Sequence, residues 1–209
     1  MLYIRDNNSH MQTTALYGIV AAGGISRRMG KDKSQLIYHQ LEQRYHVYEM
    51  LVPLCQQVHI SCNAIQAPGI SYAYNCMVDE VPFAGNGPIS ALLTAFRNFP
   101  GADILLIGCD YPYLDSEAIK KFIESLGDET LAAAFYNENK KMYEPVLAYY
   151  RYTCAKELTT RYKSGQRSLR HFLQNVQAGK YQPDDARLMK SIDTKGAMEE
   201  AKHFIHHEH

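Results

Sequence analysis

The residues with the most chemistry at the shortest spacing lie between Ala21 and Lys33, AAGGISRRMGKDK. Two adjacent glycines, Gly23 and Gly24, follow an apolar run, and Arg27, Arg28, Lys31 and Lys33 bring positive charge onto the same short loop. Glycines let the backbone turn sharply and present bare N–H groups to a ligand. A bent run of amides makes an anion-binding nest, over which side-chain cations can hold a di- or triphosphate. The spacing is not that of a Walker loop, because Ile25 stands where its first glycine belongs and Asp32 follows Lys31. Nor does it have the three spaced glycines of a dinucleotide fingerprint. A Gly-rich turn with a solvated basic face has the same composition, so spacing alone leaves both readings open.

Asp110 is the second candidate. It follows ILLIGC, at the point where an apolar strand gives out, in the segment GCDYPYL. A carboxylate there, near a phosphate cradle, suits a hard cation, since Mg²⁺ takes one or two carboxylates together with waters and substrate phosphates. An Asp before Tyr-Pro is also a good turn former. Asn63 and Asp79 fall at the ends of two further extended segments, Asp79 beside Glu80 in what also reads as a solvated turn. In SIDTKGAME, Asp193 or Thr194 suits the N-cap of a helix.

These residues need a framework. Leu16 to Ala22 reads as a buried strand, Val58 to Cys62 as a short β-branched one and Ile70 to Val78 as another extended segment. Ile104 to Gly108 is continuously apolar, as expected of a strand covered on both faces of a parallel sheet. Leu131 to Tyr136, Tyr143 to Tyr150 and Arg187 to Ile192 complete the expected strands. Helical spacing appears from Glu42 to Leu54, from Pro88 with Ile89, Leu92, Leu93 and Phe96 on one face, and after Asp115 with Ile119, Phe122, Ile123 and Leu126. Further helices are expected from Arg151 to about Tyr162, around Leu169, Phe172, Leu173 and Val176, and at the carboxyl terminus through Met198, Ala201 and Ile205. Alternating strands and helices predict a single Rossmann-like α/β domain with a mainly parallel sheet and helices on both faces. Ligands in such sheets bind beyond the carboxyl ends of the strands, where the basic loop, Asn63, Asp79 and Asp110 all fall.

Bulk properties narrow the partners. The 209 residues can bury one sizeable core, and 22 Lys and Arg balance 22 Asp and Glu, so no net field recruits nucleic acid or an anionic membrane. Without that charge, the 16 tyrosines read as core and rim positions rather than a stacking surface for bases. The five cysteines, Cys55, Cys62, Cys76, Cys109 and Cys154, form no CxxC pair, and reduced core thiols of a cytoplasmic protein are expected. Residues 1–14 read as a flexible polar extension without the pattern of a secretory signal, ahead of one folded domain over 15–205. The histidine-rich end, HFIHHEH, reads as a frayed helix terminus.

The basic loop resembles the opening signature of the molybdenum cofactor guanylyltransferase family, Leu-Ala-Gly-Gly-x-Ser-x-Arg-Met-Gly-x-Asp-Lys. It matches at Ala22, Gly23, Gly24, Ser26, Arg28, Met29, Gly30, Asp32 and Lys33, with Ala21 in place of leucine. Cys109-Asp110-Tyr111-Pro112 resembles the family's Cys-Asp-x-Pro, whose Asp holds the metal. Asp193 resembles a second carboxylate approaching that metal, although Ser191 and Lys195 replace the usual Asn and Pro. Asn63 and Asp79 stand where the family reads the base, and Gly87-Pro88 where the chain passes under the nucleotide. Gly165, Arg167, Ser168, Leu169 and Arg170 resemble the acceptor-side segment Gly-x-Arg-Ser-Leu-Arg, while the usual Gly-x-Pro between Gln35 and Arg44 is missing.

The resemblance, from about Leu16 to about Glu200, implies a Mg²⁺-dependent transfer of GMP from GTP to the terminal phosphate of molybdopterin or Mo-molybdopterin, releasing pyrophosphate. Lys33, Arg28 and Asp110 would be catalytic. Ala22, Gly23, Gly24, Lys33, Asn63, Asp79, Gly87 and Asp110 would hold the nucleotide, Arg167, Ser168 and Arg170 the acceptor, and Asp110 with Asp193 the metal. It also allows molybdoenzymes or their chaperones as partners. Related cytidylyl and sugar-phosphate nucleotidylyltransferases carry similar loops, and a non-catalytic nucleotide-binding partner in cofactor delivery is a third reading.

Overall fold

The computed structural model describes residues 14–22, 25, 26 and 31–207. Strand β1 (Leu16–Ala21) is followed by a two-residue hairpin, β2 (Ile25–Ser26) and β3 (Lys31–Asp32), and then helix α1 (Gln43–Leu51). Next come β4 (Gln57–Cys62), β5 (Cys76–Val78), α2 (Pro88–Asn98), β6 (Asp103–Gly108) and α3 (Ser116–Glu124). The remainder is β7 (Ala132–Asn137), β8 (Met142–Tyr150), α4 (Cys154–Lys163), α5 (Leu169–Asn175), β9 (Gly179–Tyr181) and α6 (Lys195–His207).

Seven strands form one sheet in the order β5-β4-β1-β6-β8-β7-β9. β1 runs parallel to β4 and β6, β4 to β5, and β7 to β9, while β8 is antiparallel to both its neighbours. The parallel half needs crossovers, and α1 and α2 provide them on opposite faces. On one face Val47 and Leu51 of α1 and Ile119 and Phe122 of α3 pack over Val20, Ile60, Leu105 and Ile107. On the other, Leu92 and Phe96 of α2, Leu158 of α4 and Phe172 of α5 cover Ile19, Ile104 and Leu106. Every residue of β6 is buried, which is why Ile104 to Gly108 are apolar without alternation, and the buried Asp103 at its start accepts from the Tyr149 hydroxyl and the Tyr152 N–H. A smaller cluster of Tyr38, Ile192, Ala201 and Ile205 seats α6 against the segment after β3.

Two expected strands are corrected. The strand predicted over Arg187 to Ile192 is instead a 3₁₀ helix, Ala186–Met189, because the Asp185 carboxylate accepts from the Arg187 N–H at 2.8 Å and starts a turn locally. Of the extended segment predicted over Ile70 to Val78, only Cys76–Val78 is strand, and Ser71 to Tyr74 turn back on themselves. The edge strand β9 carries only the pattern GKY, too short for periodicity to reveal. The terminal helix runs on to His207 rather than fraying through the histidines. Among the described residues no helix is long and apolar enough to cross a membrane. Of the extension expected over residues 1–14, all but Thr14 lies outside the described residues.

Candidate active site

At the carboxyl end of β1, Ala22 donates its N–H to the Ser61 carbonyl at 3.0 Å and leaves its own carbonyl facing Gln66. The Gln66 amide donates to that carbonyl at 3.1 Å and to the Asp32 carboxylate at 2.7 Å. Asp32 in turn accepts from the Ser34 N–H at 2.9 Å and the Ser34 hydroxyl at 2.7 Å, capping the 3₁₀ turn Lys33–Gln35. Both ends of the basic loop are thereby tied to one side chain, and Lys33 leaves the turn in a set direction.

Lys33 points at two carboxylates. Its ammonium lies 2.5 Å from Asp193 Oδ1 and 3.4 Å from Asp110 Oδ2. The Lys33 side chain is 13% exposed, against 42% for Asp110 and 54% for Asp193, so the cation is seated deeper than the anions that hold it. Burial alone would lower the Lys33 pKa, but the hydrogen bond to Asp193 and the charges of Asp110 and Asp193 outweigh it and hold the ammonium above its ordinary range. In Asp110 burial prevails. Burial, with the negative charge of Asp193, raises its pKa, and Lys33 only partly offsets the rise.

Local structure delivers each group. Asp110 follows the buried strand β6, where Gly108 admits Val146: a Cβ on Gly108 would stand 2.9 Å from Val146 Cγ2. Asp193 arrives from the far end of the chain, after buried Ile192. The capping role left open for Asp193 or Thr194 belongs to Thr194, whose hydroxyl accepts from the Ala197 N–H at 3.2 Å.

A second wall forms where β4 and β5 end. Asp79 accepts from the Ser61 hydroxyl at 2.6 Å, and burial raises its pKa against that hydrogen bond. Asn63 turns its side-chain oxygen onto the N–H groups of Ile65 and Gln66, both at 2.9 Å, and so forms the turn that presents Gln66. Gly87 heads α2 at φ 73° and ψ −149°, a conformation open essentially to glycine alone. Beside it, Asn86 donates to the Phe83 carbonyl at 2.9 Å and to Tyr162 at 2.7 Å, and accepts from Arg167. Arg167 also lies over the Tyr162 ring, so the loop before α2 and the segment before α5 are stapled together. Ser168 caps α5 by accepting from His171 N–H, and Arg170 donates to the Tyr143 carbonyl at 3.1 Å.

Lys33, Asp110 and Asp193 thus converge, with Ala22, Asn63 and Asp79 along the neighbouring strand ends. Gly87 and Arg167 meet through Asn86, whereas Ser168 and Arg170 serve α5 and β8. Gly23, Gly24 and Arg28 lie outside the described residues. Sequence reasoning missed Gln66, Ser61 and Asn86, polar residues whose importance comes from cross-chain contacts that no local spacing signals. Among the described residues no group of three or more His, Cys, Asp or Glu gathers as a metal cage. Two carboxylates closing on one cation instead form a donor set suited to a hard divalent ion that completes its shell with waters and phosphates.

Residues 18–182 match the family model for the MobA-like NTP transferase domain. The chain belongs to that family. It is 33% identical over 138 residues to the molybdenum cofactor biosynthesis bifunctional protein of Synechocystis, covering 66% of this chain and 39% of that protein. With the molybdenum cofactor guanylyltransferase of Haemophilus influenzae it shares 28% identity over 163 residues, 77% of this chain and 83% of the relative. Among solved structures, the molybdopterin-guanine dinucleotide biosynthesis protein A of Archaeoglobus fulgidus superposes with a TM-score of 0.71 at 21% identity, over 90% of this chain and 97% of that one. A CMP:2-keto-3-deoxy-manno-octonic acid synthetase complexed with CTP gives 0.69 at 12% identity, over 94% of this chain and 100% of that one. The NTP transferase fold is therefore common to family members and more distant enzymes.

Proposed function

We propose that this NTP transferase moves GMP from GTP to the terminal phosphate of molybdopterin, with or without molybdenum, and releases pyrophosphate. The observation that carries the reading is the Lys33 ammonium seated between Asp110 and Asp193 at the carboxyl ends of the parallel strands. Charge of both signs is concentrated there, as transfer between phosphates requires. Guanylyltransferases among the relatives support the choice of nucleotide and acceptor.

In this reading Ala22, Gly23, Gly24 and Gly87 offer backbone to the nucleotide, and Lys33 and Arg28 neutralise charge developing on its phosphates. Asp79 accepts from the N1–H and exocyclic amine of guanine, beside Asn63. Arg167, Ser168 and Arg170 line the approach of the acceptor phosphate. That phosphate attacks the α-phosphorus in line. Its second pKa is about 6, so it is largely ionised at neutral pH and needs no dedicated base. Asp110 and Asp193 would hold a Mg²⁺ ion, which when bound would supply charge neutralisation on the phosphates. A cytoplasmic location and hand-over to molybdoenzymes or their chaperones complete the proposal.

Thermal melts with GTP, CTP, UTP and ATP, each with Mg²⁺, test the nucleotide, and pyrophosphate release with molybdopterin tests the transfer. GTP should raise the melting temperature most. Preferential stabilisation by CTP would assign a cytidylyl transfer instead, and GTP binding without any pyrophosphate in a single-turnover assay would assign a non-catalytic delivery role.

A further inference from the structure

The sequence holds no closely spaced cysteine pair, yet the fold makes one. Cys62 ends β4 and Cys76 begins β5, and their sulfurs lie 3.1 Å apart across the outer edge of the sheet. The parallel register sets Ile60 opposite Cys76 and Cys62 opposite Val78, so the two thiols are diagonal neighbours on one face. Diagonal neighbours stand roughly 7–8 Å apart, just beyond the usual Cα span of a disulfide, but here both side chains already lean across the gap and a small backbone shift would close the bond. Their environments differ. Cys76 is exposed and Cys62 buried.

We propose that Cys62 and Cys76 are a reversible redox site, oxidised to an intramolecular disulfide by small disulfides such as glutathione disulfide. The exposed thiol starts the exchange: the Cys76 thiolate attacks one sulfur of glutathione disulfide, breaks its S–S bond and expels one glutathione thiolate. The Cys62 sulfur then gives up its proton to that thiolate, attacks Cys76 in the mixed disulfide and expels the second glutathione. Two protein thiols lose two electrons and two protons, and one glutathione disulfide becomes two thiols. Burial pushes the Cys62 thiol up, which makes it a poor first nucleophile but leaves it beside the sulfur it must attack. Cys55, Cys109 and Cys154 are likewise pushed up by burial, so Cys76 is the point of entry.

The location couples the pair to the second wall. Cys62 stands between Ser61, which holds Asp79, and Asn63, whose turn carries Gln66 to the basic loop. A bridge draws the sulfurs from 3.1 Å to about 2.05 Å and clamps β5 to β4 beside those contacts. GTP affinity should change with oxidation, a consequence that rests on the proposed guanylyl transfer.

The full chain is incubated with glutathione disulfide and digested without reduction. Mass spectrometry should show a cross-linked peptide containing Cys62 and Cys76, two hydrogens lighter than its parts, which dithiothreitol separates. Oxidised protein should melt at a higher temperature than reduced protein, and Cys76→Ser, an exposed change that leaves the fold intact, should abolish both results. Glutathione remaining on Cys76 with Cys62 unmodified, or a bridge to another cysteine, would overturn the pair. Equal GTP affinity before and after oxidation would overturn the coupling. If the reduced protein binds no GTP, the functional reading fails while the cross-link still judges the pair.

Discussion

The Ile192 N–H donates to the Asp110 carbonyl at 2.9 Å, and this bond sets the site's geometry. It stitches the segment before α6 to the end of β6, while the Ile192 side chain, 1% exposed, anchors among Tyr38, Ala201 and Ile205. The next residue, Asp193, is thereby turned outward beside Asp110, and both face Lys33.

Truncating that anchor tests the arrangement. Ile192→Ala should cost about 2–5 kcal/mol of stability through the cavity it leaves. If the anchor also sets Asp193, folded mutant at low temperature should show weakened nucleotide binding. Normal binding would show that α6 holds Asp193 without it.

Lys33→Ala removes the cation shared by two carboxylates. A charge-assisted contact is worth about 1.5–3 kcal/mol, so GTP affinity by calorimetry should fall roughly ten- to a hundred-fold. Unaltered affinity would place the phosphates elsewhere.

Asp110→Asn keeps the side chain's size and an oxygen but removes the charge a hard cation needs. Pyrophosphate release should fall by orders of magnitude at every magnesium concentration, while metal-free GTP binds as well or better. Activity close to wild type at moderate magnesium would leave Asp110 a turn former.

Asp79 is held by Ser61 at 2.6 Å with its charge partly buried. If it reads guanine, Asp79→Ala should erode preference for GTP over ITP, which lacks the exocyclic amine, more than it erodes pyrophosphate binding. Equal losses for both nucleotides would make Asp79 structural.

His46 stacks on His39 with ring centroids 3.8 Å apart, and burial, then the neighbouring imidazole, lowers its pKa to about 4. Its folded pKa lies below the ordinary value near 6.5, so folding favours the neutral ring. The resulting stability is complete above pH ~6.5 and is lost as pH falls towards 4. His46→Gln, which does not titrate, should lose less stability than wild type between pH 7 and 4.5. Parallel melting curves for the two proteins would exclude His46 as the source of acid lability.

Much was legible from sequence because some signals are local. The unbroken ILLIG run announces a strand covered on both faces, and such a strand must hand its next polar residue, Asp110, to the sheet's carboxyl edge. The glycines and cations around Lys33, on which the proposal of a phosphate loop rests, are a local signal of the same kind, since turn chemistry and charge density need only neighbouring residues. The Lys33 to Asp193 contact joins residues 160 apart, and no periodicity reports where two such segments meet. Gln66 spanning Ala22 and Asp32, Asn86 receiving Arg167, and Cys62 reaching Cys76 depend likewise on crossovers and strand register. Arg187 to Ile192 failed as a strand because a capping carboxylate at Asp185 outweighed a weak apolar pattern. Residue type and spacing determined which groups could do chemistry, and the order of strands in the sheet decided which of them touch.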